Sequence, residues 1–92
     1  MREVGQINSK LCKITVFHYN HKYSIKFETS DYEQIYKVRE GANVNGMDDV
    51  RRLINDDFIL TVMGRFKQMN TDFVRILTGL EEEDEDEFDV IL

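Results

Sequence analysis

Three side chains suited to acid–base, ligand or nucleophilic chemistry stand early in this 92-residue chain: Cys12, His18 and His21. The two histidines flank Tyr19-Asn20. A metal centre built on them would need at least one or two more convergent donors, and Cys12 sits far along the same run. Nucleophilic catalysis would need a base and an orienting acid within hydrogen-bond reach, and no short motif supplies them. The histidines therefore read as turn or surface residues, and Cys12, near Leu11 and Ile14, as a buried structural thiol. Gly41, Gly46 and Gly64 match neither glycine-rich phosphate loop. No catalytic residue, metal ligand or cofactor is expected, and an enzyme is the weakest class.

The remaining chemistry is electrostatic. Residues 1–80 carry a net charge of +2, residues 81–92 carry −8, and the whole chain −6. The ending EEEDEDEFDVIL holds Glu81, Glu82, Glu83, Asp84, Glu85, Asp86, Glu87 and Asp89, then closes on apolar Val90, Ile91 and Leu92 after Phe88. A helix of such acids would suffer like charges at i, i+3 and i+4, whereas an extended form relieves them. In a strand, alternate side chains lie about 6.8 Å apart, close to two base-pair steps of one DNA strand. Anchored by its apolar end, the row could compete for a basic DNA-binding groove. Unanchored, it would only solubilise the chain.

Further acids occur at Glu28, Asp31, Glu33, Asp48, Asp49, Asp56, Asp57 and Asp72 and form a candidate secondary surface. Arg52 lies three residues after Asp49 and four before Asp56, which favours a salt-bridged solvent face for those positions if the helix is continuous. Lys10, Lys13, Lys22 and Lys26 accompany Phe17, Tyr19 and Tyr23 in a way that superficially suggests a nucleic-acid platform. The net negative charge weighs against direct nucleic-acid binding. A lysine-rich hairpin more often keeps a sheet edge soluble.

The elements that must position these groups follow from periodicity. KITVFHYN and HKYSIKFET predict an antiparallel hairpin with Asn20 and His21 in its turn. Ser30-Asp31-Tyr32-Glu33 has the form of a capping box, so a helix through Tyr32, Ile35, Tyr36 and Arg39 is expected, stopped at Gly41. Gly41–Gly46 reads as a loop. Val50, Leu53 and Ile54 mark a short helix, and Asn55-Asp56-Asp57 could interrupt it or cap the next. Phe58, Ile59, Val62, Met63 and Phe66 fit a helical stripe, although 58–62 would also pass as a buried strand. Thr71-Asp72 opens a last helix with Phe73, Ile76, Leu77 and Leu80 on one face. The expectation is one α+β domain over 1–92: an N-terminal antiparallel β-hairpin, three or four helices, a possible short C-terminal strand, and an acidic segment at 81–89.

Hydrophobic residues make up 41 % of the chain, as in globular proteins. No run is apolar enough for a bilayer or a signal peptide, and a single cysteine suits a reducing compartment, so a cytoplasmic location without membrane contact is expected. A chain this short buries a modest share of its surface, and one acidic tail covers little duplex. A homodimer is therefore expected.

The stretch MREVGQINSKLCKITVFHYN and the ending EEEDEDEFDVIL, with the short length and hairpin start, resemble the anti-restriction nuclease (Arn) family of T-even bacteriophages over the whole chain. The resemblance implies a DNA-mimic inhibitor in the host bacterial cytoplasm. Its partners would be host DNA-binding proteins: the restriction nuclease McrBC and the nucleoid protein H-NS. The slightly positive body departs from the usual mimic, whose acids cover a broad face. The alternative is a small acidic interaction adaptor or regulatory subunit with a solubilising tail.

Overall fold

Alternating apolar residues draw the first 39 residues into strands, and a three-and-four spacing draws the last third of the described chain into one helix. The structure is a computed structural model and describes residues 1–83. Four strands, β1 (Arg2–Ile7), β2 (Lys13–Tyr19), β3 (Lys22–Glu28) and β4 (Glu33–Arg39), precede α1 (Met47–Leu53) and α2 (Asp56–Glu83). The strands form one antiparallel meander in chain order.

The register puts Ile14 opposite Phe27, Val16 opposite Ile25 and His18 opposite Tyr23. Ile14, Val16, Ile25 and Phe27 are essentially inaccessible, as are Val50 of α1 and Val62 of α2, which cover that face together with Ile54 and Phe66. Phe58 meets Phe27 at a centroid distance of 5.0 Å and Tyr36 at 5.1 Å, within the range of favourable tilted aromatic pairs. The hairpin turn between β2 and β3 takes positive φ at both Asn20 (50°) and His21 (59°). That backbone matches the twist of the flanking strands, and Asn and His tolerate it better than most residues.

The expected hairpin followed by three or four helices is overturned: the fold is a four-stranded sheet followed by two helices. The stretch assigned to a capped helix is β4. Gln34, Tyr36 and Val38 lie opposite Phe27, Ile25 and Tyr23 on the core face, and Glu33, Ile35, Lys37 and Arg39 fall on the other. The apparent capping box is a turn in which the Thr29 amide donates to the Tyr32 carbonyl at 2.9 Å. Ile, Tyr and Val are strong strand formers, and pairing with β3 decides the outcome.

The N-terminal residues, outside the expected hairpin, make edge strand β1. Its pairing with β2 shifts register between Glu3 and Gly5. Gly5 allows a close approach: a Cβ there would lie 2.6 Å from Cε of Met47.

The helical reading of 58–66 holds, but the two C-terminal helices expected separately are one 28-residue helix. Asn55 caps it, its side chain accepting from the Phe58 amide at 2.9 Å, whereas Thr71-Asp72 lies within it. Because α1 ends at Leu53, Asp49 and Asp56 do not share a helical face. Glu81–Glu83 are helical, not extended. Asp84–Asp89 and the possible strand at the C-terminus lie outside the described residues.

A helix of this length runs about 42 Å, more than the sheet can cover. Its first half packs across the core face. Beyond Asn70 and Phe73, held at the sheet by Tyr32, it continues past the sheet. The described residues accordingly measure 57 × 26 × 19 Å.

Candidate functional site

The departing half of α2 is built from residues that a packed helix would bury. Ile59, Val62, Phe66, Met69, Phe73, Ile76 and Leu80 recur at alternating steps of three and four, the spacing of a helix–helix seam. The first four of these belong to the core or pack against it. Tyr32 marks where that support ends: its hydroxyl donates to Asn70 Oδ1 at 3.0 Å, and its ring meets Phe73 edge-on at 6.3 Å. From there Phe73, Val74 and Ile76 are exposed, and Leu77 and Leu80 are half-buried. Phe73, Ile76, Leu77 and Leu80 were expected on one helical face. Their continuity with the upstream stripe was hidden by Asn70-Thr71-Asp72, which resembles a helix start. The unbroken spacing from Ile59 to Leu80 is the signal that reveals it.

Of the acids expected to form a secondary surface, several have a basic neighbour. Asp48 faces Arg51 at 3.6 Å, Asp49 pairs with Arg52, and Asp72 faces Arg75 at 3.7 Å. Asp49 also accepts the Asn45 amide at 2.9 Å, which fixes the loop before α1. Glu28 lies 3.7 Å from Lys26 and directly across the ladder from Glu33. Asp56 and Asp57 occupy the first turn of α2, where negative charge complements the helix dipole. Asp31 and Glu33 flank Tyr32, so they lie at the end of the sheet where the helix departs. Glu28, Asp48, Asp49 and Asp72 thus each have a basic partner.

Of the main acidic row, Glu81, Glu82 and Glu83 have helical backbone at the end of α2. Carboxylates there oppose the helix dipole, and no basic residue stands in the last turn to offset them. Asp84, Glu85, Asp86, Glu87 and Asp89 lie outside the described residues.

The lysines do not protect a sheet edge. Lys13, Lys22 and Lys26 lie on the two central strands, on the face opposite the helices, joined there by Lys37 and Arg39 of β4. The Lys26 ammonium stands 5.5 Å from the centre of the Phe17 ring. Beside them a shallow cleft of about 290 Å³ is lined by Met1, Phe17, Ser24, Lys26, Glu33, Ile35 and Lys37. Tyr23, grouped with the lysines by sequence, points instead into the core.

The histidines have a structural partner that spacing could not reveal. Glu40, just beyond β4, accepts from His18 Nε2 at 3.2 Å and the Tyr23 hydroxyl at 3.3 Å, and His21 Nδ1 lies 3.5 Å away. The His18 hydrogen bond is the main reason that the Glu40 carboxyl is held below the usual carboxylate range. Partial burial opposes the shift, while the His18 charge, Tyr23 and His21 assist it. Tyr23 in turn accepts the Gly46 amide at 3.0 Å. The cluster thus ties the β2–β3 turn, the end of β4 and the start of α1 together. Among the described residues, no group of three or more His, Cys, Asp and Glu side chains is placed to hold a metal ion. Cys12 is buried, and burial raises its thiol pKa, which disfavours the reactive thiolate.

Comparison of this chain with protein-family models, with curated proteins and with solved structures found no match. The resemblance to the anti-restriction nuclease family therefore rests on sequence character alone, and function must be sought in the chain's own geometry. Among the described residues, no helix is long and apolar enough to cross a membrane.

Proposed function

We propose that this is a non-enzymatic binding protein whose C-terminal arm, the departing half of α2 with the acidic segment 81–89, engages a basic protein partner. One observation carries the reading. The helix lifts an exposed apolar stripe and the start of a seven-residue acidic run clear of a body whose own charges are nearly balanced. A helix presenting anchors at i, i+3, i+4 and i+7 is a common ligand for an apolar groove, and the acids beyond it select a groove with a basic rim. No basic residue stands in the last turn of α2, so a basic partner would supply counter-charge to this acidic end.

The narrower form of this proposal is DNA mimicry. Glu81–Glu87 and Asp89 would occupy the DNA-binding surface of a host protein, a McrBC-type restriction nuclease or the nucleoid protein H-NS, in a bacterial cytoplasm. The body acids already beside a basic residue, Glu28, Asp48, Asp49 and Asp72, would contribute less. No cofactor takes part.

The test is protection of DNA from McrBC, titrated with the full chain, with a chain ending at Leu80, and with a full-length variant bearing Gln or Asn at 81–87. Protection lost in both altered forms and overcome by added DNA supports mimicry. If the Gln/Asn variant still protects, the arm binds through its apolar stripe and mimicry is excluded. If none of the three folded forms protects, this nuclease is not the partner and the interaction-adaptor reading stands alone.

A further inference from the structure

We propose that the face of the sheet turned away from the helices binds single-stranded nucleic acid, phosphates on its lysines and arginine and bases on Phe17 and Tyr19. The expectation against nucleic-acid binding counted the charge of the whole chain, whereas a ligand responds most to the charges beside it. This face lies across the sheet from α1 and α2, so its role is independent of the C-terminal arm.

The strand register assembles the surface. Tyr19, Lys22 and Arg39 form one row across β2, β3 and β4, and Phe17, Ser24 and Lys37 form the next, with Lys26 and Ile35 beyond. Tyr19 and Ile35 are 54 % and 53 % exposed, and Lys22, Lys37 and Arg39 are exposed as well. Ser24, only 7 % exposed, lies low in the shallow cleft that Phe17, Lys26 and Lys37 share. Charge is divided along the face. Towards the β2–β3 turn, Lys22, Lys26, Lys37 and Arg39 accompany one acid, Glu3, which lies opposite Phe17 and accepts from Gln6 at 3.0 Å. Glu40 follows Arg39 but is engaged by His18 and Tyr23 on the core side. At the other end Lys13 meets Glu28 and Glu33, with Asp31 in the adjoining turn, so positive charge has no excess there. Lys26, 3.7 Å from Glu28, marks the boundary.

The aromatic pair favours nucleic acid over an acidic protein. Phe17 and Tyr19 are successive side chains on this side of β2, about 6.8 Å apart along the strand. Each has a cation beside it: the Lys26 ammonium is 5.5 Å from the Phe17 ring centre, and Lys22 is the ladder partner of Tyr19. Rings interleaved with cations let bases stack while the backbone is neutralised. No helix or two-stranded ribbon projects from this face to enter a duplex groove, which leaves the unstacked bases of a single strand as the ligand that fits.

Fluorescence anisotropy of the full chain with labelled oligo(dT) and oligo(U), each about 12 nucleotides long, tests this. The expected Kd is tens of micromolar at about 50 mM salt, weakening with a log–log salt slope of about −2 to −3, as for three or four phosphates. Tyr19→Ala should weaken binding at least about fivefold by loss of one stacked base. Lys22→Gln, Lys37→Gln and Arg39→Gln together should weaken it at least about tenfold and reduce the slope by about 2. Arg65→Gln, Lys67→Gln and Arg75→Gln together make the same charge change on α2 and should alter affinity less than about twofold. Circular dichroism checks that each variant retains the fold.

The absence of binding at about 50 mM salt overturns the proposal, as does equal weakening by the two triple variants. An oligoglutamate that competes as well as oligo(dT), with Tyr19→Ala indifferent, overturns it in favour of an acidic protein segment. Equal affinity for a duplex of the same length overturns base stacking. Similar affinities for oligo(dT) and oligo(U) are expected, because contacts to phosphates and base faces need no ribose hydroxyl. Binding of oligo(U) alone would support the face and make RNA its ligand.

Discussion

Phe66 and Phe73 stand seven residues apart on one stripe of α2, yet Phe66 is 5 % exposed and Phe73 is 45 % exposed. The same spacing is answered by a sheet in the first half of the helix and by solvent in the second. A hydrophobic stripe therefore records what a helix can bury, while its surroundings decide what has been buried. Where the stripe outruns its sheet, the surplus is the natural place to look for a partner.

Truncating the two phenylalanines gives the most direct way to break this contrast. Phe66→Ala should cost about 3–5 kcal/mol, a large part of the roughly 5–10 kcal/mol expected for a small domain. Phe73→Ala should cost less than about 1 kcal/mol, because an exposed side chain leaves no cavity. Urea unfolding at low protein concentration measures both. Equal losses would mean that Phe73 is covered within the monomer.

A smaller effect concerns the packing that fixes the body beneath the helix. Gly5→Ala should destabilise by about 1 kcal/mol, the lower end for overpacking, since the obstructing atom is the mobile tip of Met47. Met47→Ala in the same chain should remove most of the obstruction, and a double-mutant cycle in urea would show the coupling.

Glycines sharpen the comparison in the opposite direction. Gly64 and Gly79 lie within α2, and an added Cβ meets nothing within 4 Å at either. Ala at each should favour the helix by about 0.5–1 kcal/mol. In the supported half, Gly64→Ala should raise the global unfolding midpoint. In the arm, Gly79→Ala should instead slow amide exchange locally and leave the midpoint nearly unchanged, because the arm frays independently of the sheet.

The smallest expected effect lies at Glu40. Its folded pKa is lowered, chiefly by His18, so its contribution to stability is present above the unfolded carboxyl value near 4.3. That contribution is lost as pH falls through the folded value. Glu40→Gln should flatten the acid limb of stability below about pH 4.5, with helix content in the arm unaffected. A steeper limb in the variant would show that the carboxylate is not stabilised by its neighbours.

The elements that were legible are those with a clean period. Tyr23, Ile25 and Phe27 announced β3, Asn20-His21 its turn, and Val62 and Phe66 the packed stripe of α2. β1 was concealed because an edge strand covers little core: Val4 and Ile7 are its only branched apolar residues, and the register shift beside Gly5 breaks their alternation. β4 was concealed by adjacent Ile35 and Tyr36, which imitate a helical face, after a turn that imitates a cap. The apolar face of the arm was visible, but its lack of cover depends on where the sheet ends, which no local spacing encodes. Glu40 was equally hidden, since His18 and Glu40 meet only through the pairing of three strands.

Strand order that repeats chain order has a consequence during synthesis. Each hairpin can close as soon as its second strand emerges, so β1 to β4 can begin to pair before Phe58, Val62 and Phe66 have emerged. At roughly 5–20 residues per second, the interval between completing β4 and delivering Phe66 is on the order of one to five seconds. Throughout it the nascent sheet holds Ile14, Val16, Ile25 and Phe27 open to water, a surface on which a chaperone or a neighbouring chain can act before the protein's own helix arrives.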